Sequence, residues 1–207
     1  MMKRLLGPTS RIKTVFVIAG FDLDETATCE DYRWLIDGIK VRGYKVVPVD
    51  ISWRHKTSGQ YMKEFERLYE QQKTEINIII GNSFGAVVAF LSAAELKPDA
   101  IYLCSMSPFF KEDRGRFPDS YPLRHFGKRR VEELWSYSAK MIAEDINSAD
   151  VSVNILYGEN EQKTSPNLVA RAKATAKDIK DAKLIEVPGA PHQLEDRVYG
   201  SALIEML

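Results

Sequence analysis

Apolar residues in this chain fall into short, nearly continuous runs, separated by longer stretches in which they recur every three or four positions. The runs are Lys13 to Ala19, Tyr44 to Ile51, Ile76 to Ile80, Ala100 to Ser105, Val151 to Tyr157 and Ala182 to Val187. Most do not alternate with polar residues, as expected of strands covered on both faces. The helical stretches run from about Glu30 to Arg42, Gly59 to Lys73, Phe84 to Leu96, Arg130 to Asn147 and Asn167 to Ile179, with another near the C-terminus. Six strands joined by helical crossovers predict an α/β fold, a mostly parallel sheet with helices on both faces. At 207 residues the chain is long enough for one well-buried core and short for two, so a single domain over residues 1–207 is expected.

Ligands of such sheets bind beyond the carboxyl ends of the strands. Four turns fall there: Gly20-Phe21-Asp22, Gly81-Asn82-Ser83-Phe84-Gly85, Tyr157-Gly158-Glu159-Asn160-Glu161 and Pro188-Gly189-Ala190-Pro191-His192. The second carries the sharpest chemistry. A serine between two glycines, after a buried strand and before an Ala- and Val-rich helix, predicts a tight strand-to-helix bend with its hydroxyl at the apex. The helix amides behind it are suited to an oxyanion. Ser83 is the candidate nucleophile; a serine that only caps the helix is the plainer alternative.

A serine needs a base, and the base a partner that fixes its tautomer. Of three histidines, His55 lies in a polar loop and His125 in an irregular segment, whereas His192 follows a strand and a turn on the rim of Ser83. His192 is the candidate base.

The charge balance, 29 basic against 29 acidic residues, gives no field for nucleic acid or an anionic membrane. Small molecules are the expected partners, bound by a monomer or small homo-oligomer. No apolar run approaches the roughly 18 residues of a membrane span, and Val15 to Ala19 reads as a first strand instead of a leader, so a cytoplasmic protein is expected. Cys29 and Cys104 have no metal-ligand spacing and read as buried thiols. Between residues 107 and 129 the period fails. That segment holds Pro108, Pro118 and Pro122 with Phe109, Phe110, Phe117, Tyr121 and Phe126, a composition that suits a short cap over a pocket or aromatics tucked into the core. Its seven basic against three acidic residues from Lys111 to Arg130 would favour a negatively charged acyl group.

The elbow Gly81 to Ala86, the Tyr157 to Glu161 segment and the Pro188 to His192 segment, in that order, resemble the α/β-hydrolase fold enzymes along nearly the whole chain. The resemblance implies a serine hydrolase acting on a carboxylic ester, thioester or amide through an acyl-enzyme, without metal or organic cofactor. It puts the triad acid three residues past the glycine that ends the next-to-last strand, at Glu161, where Asp is more usual; Glu159 is the alternative acid. It gives the oxyanion hole to the backbone N–H groups of Phe84 and Phe21, with Ala19 standing where relatives often carry histidine. No carboxylate follows the strand ending at Ser105, where some relatives place the acid. The chain is also too short at its start for the family's opening hairpin.

Two other readings compete. Asp22-Leu23-Asp24-Glu25-Thr26 after a buried strand also resembles the first motif of haloacid-dehalogenase-like phosphatases, in which one aspartate attacks phosphorus and Mg²⁺ counters the charge. Its later motifs fit poorly. The same fold could also serve as a non-catalytic binding module.

Overall fold

The computed structural model describes residues 11–21, 26–27, 29–52, 56–116 and 127–207, with backbone alone at 26–27 and 51–52. Its strands are β1 (Lys13–Ile18), β2 (Thr26–Ala27), β3 (Lys45–Val49), β4 (Ile51–Ser52), β5 (Ile76–Asn82), β6 (Ala100–Cys104), β7 (Ser152–Gly158) and β8 (Lys183–Val187). Six of them form one parallel sheet in the order β3-β1-β5-β6-β7-β8. The two-residue strands β2 and β4 make a small antiparallel pair. The six predicted strands are all present. The predicted Tyr44–Ile51 run is interrupted at Asp50, whose Oδ1 accepts the Cys29 N–H at 2.9 Å.

Helices α1 (Arg33–Val41) and α8 (Arg197–Met206) pack together on one face. The other face carries α2 (Ser58–Gln72), α3 (Phe84–Leu96), α5 (Ala139–Ala149) and α7 (Pro166–Asp178). Helix α3 is apolar all round because it is enclosed by the sheet and its neighbours: Phe84, Val88, Ala89 and Phe90 have no exposed surface.

The predicted helix from Arg130 to Asn147 is two helices, α4 (Lys128–Leu134) and α5. Ser138 caps α5 by accepting the Met141 N–H, and its hydroxyl donates to Glu112. That local alternative to helix continuation divides the run. Helix α6 (Glu161–Thr164) is a single turn within a segment whose sequence reads as loop.

The chain runs from β1 out to β3 and returns on the other side of β1 as β5, so the topology reverses between β1 and β5. A crevice opens at such a reversal beyond the carboxyl ends of the strands. The turns after β1 and β5, Gly20-Phe21 and Ser83, meet there.

Backbone packing at the reversal explains Gly85. A Cβ on Gly85 would lie 2.4 Å from the carbonyl oxygens of both Ile18 and Ala19. Gly85→Ala should cost about 3 kcal/mol in overpacking against backbone and recover about 1 kcal/mol of helix propensity. A net loss of about 2 kcal/mol lowers Tm by about 4–8 °C in a chain of this size, to be read by thermal unfolding followed by circular dichroism.

Candidate active site

Ser83 sits between β5 and α3 at φ 51°, ψ −110°, a conformation that costs a non-glycine residue about 1–3 kcal/mol. The surroundings enforce it. The Ser83 N–H donates to the Cys104 carbonyl at 2.8 Å, and its own carbonyl accepts the Ser107 N–H at 3.2 Å. Gly81 must lack a Cβ, which would lie 2.4 Å from the Gly85 carbonyl oxygen. The bend turns the hydroxyl out of the sheet, where Oγ lies 3.1 Å from His192 Nε2.

His192 is carried by the turn after β8. Gly189, at φ 69°, makes the bend, and the Ala190 N–H donates to Val187 O at 3.2 Å. The turn after β7 braces it. Asn160 donates its N–H to Ala190 O at 3.1 Å and its Nδ2 to Gly189 O at 3.0 Å, while Glu159 Oε2 accepts the Gly189 N–H at 2.8 Å. Gly158 closes the junction: a Cβ there would lie 2.3 Å from Pro191 O.

Glu161, with no exposed surface, places Oε1 2.5 Å from His192 Nδ1. Its Oε2 accepts the Gly158 N–H at 2.7 Å and the Ser105 hydroxyl at 2.8 Å. Ser83, His192 and Glu161 therefore come together in sequence of contact, and Glu159 engages the backbone of the histidine turn instead of its ring. His192 remains one-third exposed, so one edge of the ring faces the cleft.

The cleft holds about 310 Å³ and is lined by Ala19, Gly20, Phe21, Tyr32, Asn82, Ser83 and His192, with Asp31, Gln193 and Glu195 at its polar side. Gly20 backs onto Ser83, since a Cβ on Gly20 would come within 3.3 Å of Ser83 Cβ. The Phe21 ring packs 6.1 Å from that of Phe84 and lies under the Arg130 guanidinium at 5.4 Å. Arg130, one of the basic residues that the sequence offered to an anionic acyl group, is buried and donates to Lys56 O.

Several residues around Ser83 escape sequence reading. Tyr32 Oη accepts from Gly20 N at 3.3 Å and Asn82 Nδ2 at 2.8 Å, tying the β1 turn to the elbow; burial, with the charge of Glu195 second, pushes its phenol well above its ordinary value. Ser107 Oγ lies 3.2 Å from Ser83 Oγ. Ser105 and Tyr199 stand behind Glu161. Cys29 and Cys104 are both buried, and burial raises both thiols, the first to about 12.

In the described part of the irregular segment, Ser107 reaches the elbow and the residues just after it pack inward. Phe109 and Phe110 are buried, Phe110 edge-on to Phe90 at 5.6 Å, and Asp113 is clasped by Arg171 Nη2 at 2.6 Å and Nε at 2.9 Å. Phe117, Pro118, Tyr121, Pro122, His125 and Phe126 lie outside the described residues, as do Asp22, Asp24, Glu25, His55 and the side chain of Thr26. Among the described residues no group of three or more His, Cys, Asp or Glu is arranged to hold a metal ion, and no helix is long and apolar enough to cross a membrane.

Solved structures align over almost the whole chain. Est1E from Butyrivibrio proteoclasticus superposes with a TM-score of 0.75 at 16% identity, covering 97% of this chain and 89% of its own. The fold is that of the α/β hydrolases. In the α/β-hydrolase fold group, carboxylesterases of the thaumarchaeon Nitrososphaera gargenis give a TM-score of 0.69 at 14% identity, covering 95% of this chain and 90% of theirs. A bromoperoxidase from Bacillus anthracis gives 0.67 at 14%, covering 94% and 91%. No family model matches the sequence, and no curated relative matches it.

Proposed function

We propose that the protein is a serine hydrolase that cleaves a carboxylic ester of a small molecule through an acyl-enzyme, with thioesters and amides as further substrate classes. The observation that carries this reading is the continuous contact from Ser83 Oγ to His192 Nε2 at 3.1 Å and from His192 Nδ1 to the buried Glu161 at 2.5 Å.

Ser83 Oγ attacks the carbonyl carbon as His192 Nε2 takes its proton. Glu161 holds Nδ1–H, which keeps Nε2 as the proton acceptor and offsets the imidazolium charge. The oxyanion is received by the backbone N–H groups of Phe84, at the start of α3, and Phe21, in the turn after β1. His192 then gives its proton to the departing oxygen. Water, deprotonated by the same nitrogen, attacks the acyl-enzyme; the proton returns to Ser83 Oγ as the acid leaves. Each step is supplied by groups of the chain itself, so the chemistry calls for no metal or organic cofactor. The small cleft suits a compact acyl group, and two buried free thiols suit a reducing compartment, the cytoplasm.

Labelling by a fluorophosphonate tests the reading. Covalent labelling and hydrolysis of p-nitrophenyl acetate are expected, both indifferent to EDTA. No labelling, with Mg²⁺-dependent phosphatase activity lost in Asp22→Asn, would transfer the function to the aspartate motif. Neither activity would leave a binding module.

A further inference from the structure

The two oxygens of Glu161 do different work. Oε1 meets His192, and Oε2 accepts two hydrogen bonds, from Gly158 N–H at 2.7 Å and from Ser105 at 2.8 Å. Ser105 Oγ also lies 3.0 Å from Tyr199 Oη. A hydroxyl has one proton and a carboxylate only accepts, so Ser105 donates to Glu161 and Tyr199 must donate to Ser105. The chain of donors has a single direction, Tyr199 to Ser105 to Glu161.

Ser105 and Tyr199 have no exposed surface. Ser105 stands just past β6, held at φ 51° with its N–H on the Leu156 carbonyl at 2.8 Å. Glycine would relieve that backbone conformation, and alanine would fill the same space without a buried hydroxyl. A serine here is explained by its hydrogen bond.

Glutamate has one more rotatable bond than the aspartate usual at this place, and a free carboxyl end would present either oxygen to the histidine at varying angles. Two donors on Oε2 lock that last torsion. We propose that Ser105 and Tyr199 are positioning residues for the triad: they fix which oxygen of Glu161 faces His192 and so allow a glutamate to serve there. The inference rests on the proposed hydrolase reading.

The titratable groups around Glu161 separate cleanly. Tyr199 is held protonated by burial, with the charges of Cys104 and Glu161 adding to the effect, and Cys104 by burial and then by the charge of Glu161. Asp31 and Glu195 line the cleft with His192 and are common to all variants. The paired His192–Glu161 unit is what the rate profile reports. Removing the Ser105 donor frees the carboxyl end of Glu161 to turn, which alters the contact that the pH dependence of kcat/KM reports.

The test compares wild type, Ser105→Gly, Tyr199→Phe and the double variant on p-nitrophenyl acetate across pH, with the His192 Nδ1 proton followed by NMR. Ser105→Gly, which also relieves the backbone, should lose about 10-fold or more in kcat, change the acid limb of the pH–rate profile and move the Nδ1 resonance. Tyr199→Phe should do the same to a smaller degree. The double variant should be no worse than Ser105→Gly, because Tyr199 acts through Ser105. Unchanged rate, acid limb and resonance in Ser105→Gly would overturn the proposal, as would a loss accompanied only by a lower Tm. If wild-type turnover proves independent of Ser83, the hydrolase reading fails by itself, and the resonance alone decides whether Ser105 orders the Glu161–His192 contact.

Discussion

Ser83→Ala should abolish both fluorophosphonate labelling and ester hydrolysis, with kcat falling on the order of 10⁵- to 10⁶-fold. The loss is large because the nearby hydroxyl of Ser107 is not equivalently placed: its Oγ lies 3.2 Å from Ser83 Oγ, whereas His192 Nε2 is directed at Ser83. The same position makes a second, opposite prediction about stability. Serine and alanine both bear the strain of φ 51°, whereas glycine does not. Ser83→Gly should therefore be inactive yet more stable than Ser83→Ala by about 1–2 kcal/mol, read as the difference in denaturation midpoints. Retained turnover in Ser83→Ala would remove Ser83 from the mechanism. Equal stability of the two variants would mean that the elbow stores no strain.

The elbow is legible in the sequence because its chemistry is local. A buried strand, two glycines flanking a serine and a helix packed by Ala86 and Ala89 all fall within fourteen positions, and the glycines meet backbone atoms wherever a Cβ would go. His192 is legible because it follows a strand and a turn on the rim of Ser83, and Glu161 through the resemblance to the α/β hydrolases, which left Glu159 as the alternative. The supports behind them are not. Ser105 meets Glu161 across 56 positions and Tyr199 across 94, contacts that depend on neighbouring strand ends and the docking of α8, which period and punctuation do not encode. The same reason hides Tyr32, whose hydroxyl joins Gly20 to Asn82 across the switch point. The division of α4 from α5 is hidden differently: Ser138 looks like any polar helix position until Glu112 is seen to receive its hydroxyl.

Glu161→Gln should lower kcat by about 10³- to 10⁴-fold, while Glu159→Gln should stay within a few-fold of wild type. The donors already in place dictate this outcome. Gly158 N–H and Ser105 O–H both require an oxygen at the Oε2 position, so in Glu161→Gln the carbonyl of the new amide must sit there. Its NH₂ then faces His192 Nδ1 and forces that nitrogen to accept. The proton moves to Nε2, which points at Ser83 and is no longer free to take the serine proton. The fold is kept, the geometry is nearly kept, and the tautomer is wrong. In Glu159→Gln the amide oxygen still receives the Gly189 N–H, so the histidine turn keeps its brace. Turnover of p-nitrophenyl acetate by the two variants, normalised to folded protein, decides between them. A collapsed rate in Glu159→Gln beside an unchanged one in Glu161→Gln would hand the acid role to Glu159 and with it undo the positioning argument for Ser105.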